Sequence, residues 1–178
     1  MKIVILGCGR VGATLAVMMA NERHEVTVID QNREAFERFG YDFGSRIKTV
    51  VGDGIDEDVL REAGLAGADA FCAVTNGDNR NIMAAQIAKY TFNVPNVLCR
   101  IYDQIRQATY EGLGLKSISP TIVGAKLMRD ALLNPNLPAS SVPHSLAAGT
   151  SVPITPLSTD APRESERGAS AATSNQRR

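Results

Sequence analysis

The chain of 178 residues has no excess of either charge: 19 Lys and Arg balance 19 Asp and Glu. A balanced chain lacks the electrostatic footprint of a DNA- or RNA-binding protein. It also lacks the polybasic stretch that holds a protein to an anionic bilayer. No nucleic acid and no direct lipid contact are therefore expected, and any membrane partner would be a protein. No run approaches the roughly 18 apolar residues that a membrane span needs, and no cleavable leader is legible ahead of the first apolar segment. Cysteine is scarce. Cys8, Cys72 and Cys99 are odd in number, and their spacings fit no zinc pattern. Cys72 and Cys99 sit in apolar runs and read as small core residues. These absences describe a reduced, soluble, cytoplasmic protein without a bound metal.

Histidine is scarcer still. His24 precedes the second apolar run and His144 lies near the end of the chain, and neither is placed for acid–base work on a cofactor. No Tyr is followed four residues later by Lys, so the short-chain dehydrogenase pair is missing. The chain is read as no enzyme, although a small NAD-dependent oxidoreductase stays open, because the fold serves both.

What is present is a strict alternation. Short β-branched runs at residues 2–6, 25–30, 46–51, 68–75, 96–101 and 116–119 read as buried strands. Between and after them, residues 11–22, 33–39, 56–63, 78–92, 104–111 and 120–133 carry helical periodicity. Asp56 suits an N-cap, Gly112 closes a helix and Pro120 sits at a permitted first-turn position. Strands alternating with helices imply right-handed crossovers and a parallel sheet. The expectation is an α/β, Rossmann-type, doubly wound sheet of six strands in the order 3-2-1-4-5-6. From residue 134 to 178 the chain is rich in Pro, Ser, Ala and Thr and has no aromatic residue. Such a segment buries too little apolar surface to offset its ordering entropy. The organisation read is a nucleotide-binding domain over 1–133 and a disordered tail over 134–178.

The chemistry concentrates after the first strand, in Gly7-Cys8-Gly9-Arg10-Val11-Gly12. A GxGxxG run between strand and helix is the dinucleotide fingerprint. Gly7 permits the turn, Gly9 the approach of a pyrophosphate, and Gly12 close helix packing. The helix start offers free N–H groups and a partial positive charge to phosphates. Asp30 ends the second strand at the offset expected of a ribose-binding acid. Its carboxylate would repel a 2′-phosphate, so NAD(H), ATP or ADP is expected rather than NADP. Arg10 adds a fixed cation beside the phosphates, suited to a bidentate contact, unless it is only a solvated helix-start residue. Cys8 at a helix start is either a loop filler or a thiol of lowered pKa. Gln31, Asp53, Thr75, Asn76 and Arg100 fall at the carboxyl ends of strands, where open α/β sheets bind ligands. Asp53 and Asp78 could instead cap the helices that follow, and Arg100 could pair with an acid.

The runs GCGRVG, VIDQN, VVGDGIDEDVL, AVTNGDNRNIMAAQIAK, VLCRIYD and LGLKSISP together resemble the N-terminal RCK domain, or TrkA-N domain, of Trk and Ktr potassium uptake regulators. The resemblance covers residues 1 to 133. It implies a cytosolic subunit, peripheral to the inner face of the membrane, that gates an integral-membrane potassium-translocating partner. It also implies NAD(H) or ATP/ADP on the loop from Gly7 to Gly12, and a homodimer or higher ring built through the late helices 104–111 and 120–133. A stand-alone nucleotide sensor is the remaining alternative. The resemblance stops at Leu133: many members of the family continue there into a compact C-terminal lobe, and a polar tail is expected in its place here.

Overall fold

The computed structural model describes residues 1–40, 46–112 and 114–134. All but the first residue of the expected tail therefore lies outside the described residues. Six strands, β1 (Lys2–Leu6), β2 (Glu25–Asp30), β3 (Ile47–Val51), β4 (Ala70–Ala73), β5 (Asn96–Arg100) and β6 (Lys116–Ile118), form one sheet in the order β3-β2-β1-β4-β5-β6. Every pairing is parallel, with Ile5 opposite Val28 on one side and Cys72 on the other. This is the doubly wound order that the alternation predicts. The order reverses between β1 and β4, which opens a crevice at the carboxyl ends of those strands.

The helices are α1 (Arg10–Asn21), the 3-10 helix α2 (Arg33–Phe39), α3 (Glu57–Glu62), α4 (Asp78–Gln86), α5 (Gln104–Gly112) and α6 (Pro120–Leu133). Asp56 caps α3 by accepting the amide of Asp58 at 2.8 Å, as its place in the sequence suggests. The helix read over 78–92 is α-helical to Gln86 and then widens into a π turn over Ile87–Thr91. Asn93 ends it in the left-handed region at φ 54°. The strand read over 68–75 shortens to Ala70–Ala73. Ala68 closes a turn onto the carbonyl of Leu65, and the Thr75 amide turns away from the ladder to a side chain of α4.

Side chains alternate across β1 and divide the core in two. Val4 and Leu6 join Ile29, Leu60, Phe71 and Ile82 under α3 and α4. Ile3 and Ile5 join Ala16, Val17, Val28 and Phe39 under α1 and α2. The second layer stops short. Over the β4–β6 half of that face lies an apolar cavity of about 520 Å³, lined by Leu15, Met18, Cys72, Val74, Leu98 and Ile118 among others. Helix α6 buries none of its residues, and Leu127, Met128, Leu132 and Leu133 stand exposed along it.

Candidate functional site

The turn from β1 into α1 is built by close approach. Gly7 takes φ +104°, a conformation that L side chains rarely adopt. A Cβ on Gly12 would lie 1.8 Å from the carbonyl oxygen of Gly7, so only glycine lets α1 come this near the loop. At Gly9 a Cβ would meet nothing within 4 Å, because that backbone faces open space.

The open space is a polar cavity of about 690 Å³ at the strand switch point. Of the residues singled out in the sequence, Gly7, Gly9, Arg10, Val11, Asp30, Gln31, Asp53, Thr75, Asn76 and Arg100 line it. Gly12 does not; it packs against Gly7 and Val74 behind the loop. Four guanidinium groups, from Arg10, Arg38, Arg80 and Arg100, share the wall with the carboxylates of Asp30 and Asp53. In a chain of zero net charge, this excess of cations makes the cavity a place for an anion.

Each polar group is held differently. Asp30 accepts the Cys8 amide at 2.7 Å with one oxygen and the Asn32 amide at 2.9 Å with the other. Asp53 accepts the amide of Ile55 at 3.3 Å, so it turns its own loop while Asp56 does the capping. Asp78 takes the amides of Tyr102 and Asp103, at 3.0 and 3.2 Å, tying the start of α4 to the loop after β5. Arg100 pairs with no acid among the described residues. Its Nη2 donates to the carbonyl of Thr75, its cation lies 4.5 Å from the ring centroid of Tyr102, and its buried Nε has no partner. The Nε of Arg38 is likewise buried and unpartnered. Arg80 reaches across to the side chain of Gln31 at 3.4 Å. Arg10 is exposed at the helix start, in the wall of the cavity.

The Cys8 thiol is not activated. Burial, then the neighbouring Asp30 charge, pushes its pKa up to about 12, and its Sγ donates to the carbonyl of Ala35 at 3.2 Å. The loop-filler reading holds, because desolvation outweighs the pull of the helix start. His24 sits at the opposite edge of the sheet, 3.4 Å from the N-terminal amine.

Sequence reasoning missed Asn81, Arg38 and Arg80. Asn81 is fully buried, with its amide oxygen accepting both the amide and the hydroxyl of Thr75, at 2.8 and 2.7 Å. Its amide nitrogen donates to the carbonyls of Thr75 and Arg100, both at 3.0 Å. The run Asp78-Asn79-Arg80-Asn81 held the signal: an asparagine one turn into a helix that opens at a strand's carboxyl end.

Among known proteins, the Trk system potassium uptake protein TrkA of Streptomyces coelicolor is 46% identical over 143 residues, spanning 80% of this chain and 61% of that protein. The chain thus spans less than two thirds of the length of that relative. Among solved structures, GsuK bound to ADP superposes with a TM-score of 0.61 at 22% identity, over 74% of this chain and 33% of that one. The GsuK channel bound to NAD superposes with a TM-score of 0.58 at 20% identity, over 71% and 23%. At these identities the structures share the fold. Residues 3–120, which are most of the chain, match the model of the TrkA-N domain. The chain belongs to the TrkA-N domain family.

Proposed function

We propose that this chain is a nucleotide-binding regulatory module, cytoplasmic and peripheral to the membrane, that gates an integral-membrane potassium-translocating partner. The observation that carries the reading is the polar cavity, which four arginines line together with the glycine loop and the start of α1. Oriented N–H groups and guanidinium forks are the donors that phosphates take. Asp30 and Asp53 at the other end suit a ribose. NAD(H), ATP and ADP all offer that combination, and the structural relatives bound to ADP and to NAD support it. The relatives named as potassium uptake proteins support the partner. No histidine and no lysine lines the cavity, which favours sensing over turnover.

Regulation needs a second state. A ligand shifts an equilibrium only by its differential affinity for the two states. Helix α6, with no buried residue, and the half-covered sheet face supply apolar surface for a second copy of the chain. Assembly through α5 and α6 as a homodimer or ring is the arrangement we assign, with nucleotide identity altering how protomers meet. The domain occupies 1–133, with 134–178 as a tail outside it.

The test is thermal unfolding with NAD, NADH, NADP, ATP and ADP in parallel. A ligand at about 100 times its Kd stabilises the native state by roughly 2.7 kcal/mol. A shift with ATP, ADP or NAD(H) that shrinks in Arg10→Ala is expected. No shift with any of the five overturns the reading. Cofactor turnover with a panel of small substrates would move the protein to the oxidoreductases.

A further inference from the structure

Thr75 cannot offer its amide or its hydroxyl proton to a ligand, because both already point at Asn81. The Thr75 carbonyl is also occupied, by Asn81 from one side and the Arg100 guanidinium from the other. Asn81 holds the Arg100 carbonyl as well. One fully buried amide thus joins the loop after β4 to the end of β5, using both of its ends. An amide in that setting is directional: its oxygen must face two donors and its nitrogen two acceptors. A buried amide with both ends satisfied fixes one arrangement of the backbone groups it joins. What it fixes here is a cation. Arg100 is folded onto Thr75, laid on Tyr102, and left with a buried Nε–H that has no acceptor.

We propose that Asn81 is a positioning residue of the cavity, acting through Thr75 and Arg100 on an anion bound there. Asn81 touches no ligand itself, since it does not line the cavity. It sets where the Arg100 cation stands before the ligand arrives, so that little reorganisation is left for the binding step. The inference rests on the nucleotide reading above and adds the residue that prepares its cation.

A double-mutant cycle on the full chain tests it, with ADP as the probe and calorimetry as the readout. Asn81→Ala and Arg100→Ala are each expected to weaken ADP binding tenfold or more. In the double variant the loss is expected to stay within about threefold of Arg100→Ala alone, because residues that act as one unit are not additive. Losses that multiply would assign Asn81 a general structural role and overturn the proposal. Should Asn81→Ala fail to fold, Asn81→Asp enters the same cycle. It has the same shape and keeps the oxygen that Thr75 needs, but it loses the donor to Thr75 and Arg100. Wild-type protein that binds none of ADP, ATP and NAD would sink the nucleotide reading itself. Wild-type protein that binds ADP with an additive cycle sinks this inference alone.

Discussion

The carboxylate of Asp30 accepts the backbone amide of Cys8 at 2.7 Å, so the end of β2 holds the turn that leaves β1. The wall that would meet a ribose and the loop that would meet phosphates are therefore one structure. Asp30→Asn keeps the shape but weakens a charge-assisted bond. We expect it to lower stability by about 1.5–3 kcal/mol, the range for hydrogen bonds to charged groups, and to weaken ADP and NAD together. Urea unfolding and calorimetry check the two effects. Unchanged stability would mean that the bond to Cys8 contributes nothing net.

The two later glycines of the loop separate folding from binding. Gly12→Ala puts a Cβ 1.8 Å from the Gly7 carbonyl oxygen, and the helix has to move. Overpacking of this kind costs roughly 1–3 kcal/mol. Gly9→Ala has room for its Cβ, so the fold should keep its stability while the new methyl obstructs the cavity. Melting temperature and ADP affinity, measured on both, should split in opposite ways. Equal loss of stability in the two variants would contradict this geometry.

All three cysteines are buried, and burial raises Cys8 and Cys72 to about 12 and Cys99 to about 11. The folded protein thus holds these protons more tightly than the unfolded chain, whose thiols titrate near 9. Their contribution to stability is fully present below pH 9 and is lost as pH climbs toward 11 and 12. Unfolding midpoints taken from pH 7 to 11 should fall only in the upper part of that range. Ellman's reagent at pH 8 should label the thiols after unfolding and not before. Rapid labelling of native Cys8 would restore the redox reading.

Leu127 and Met128 are 44% and 69% exposed on α6. If this helix is an assembly surface, Leu127→Glu should convert self-associated protein to monomer. Sedimentation velocity gives the answer, with nucleotide present and absent. A wild-type chain that is monomeric at every concentration would remove the assembly part of the proposal.

The strands were legible because buried parallel strands read as continuous apolar runs, and five of the six begin within one residue of where the runs do. Strand β4 is overread at both ends, since Ala68 and Thr75 are as apolar or β-branched as the strand, but the Ala68 amide closes a turn onto Leu65 and the Thr75 amide goes to Asn81. The 3-10 winding of Arg33–Phe39 left no mark in a pattern shared by both helix types. At the site, glycine spacing and strand ends exposed the loop and the residues beside it. Asn81, Arg38 and Arg80 were hidden because each sits inside a helix, where polar residues ordinarily face water. Only the three-dimensional packing shows which one turns inward.

The polar cavity and the apolar one share a wall made of Arg10, Val11, Val74, Arg100 and Pro120. Whatever fills one therefore leans on residues that shape the other. Linkage is reciprocal: if a guest in the polar chamber tightens a neighbour seated in the apolar chamber by some factor, that neighbour tightens the guest by the same factor. The concentration of protein partner would then set the apparent affinity for nucleotide, and affinities measured on the isolated chain would describe only the uncoupled half of a two-site instrument.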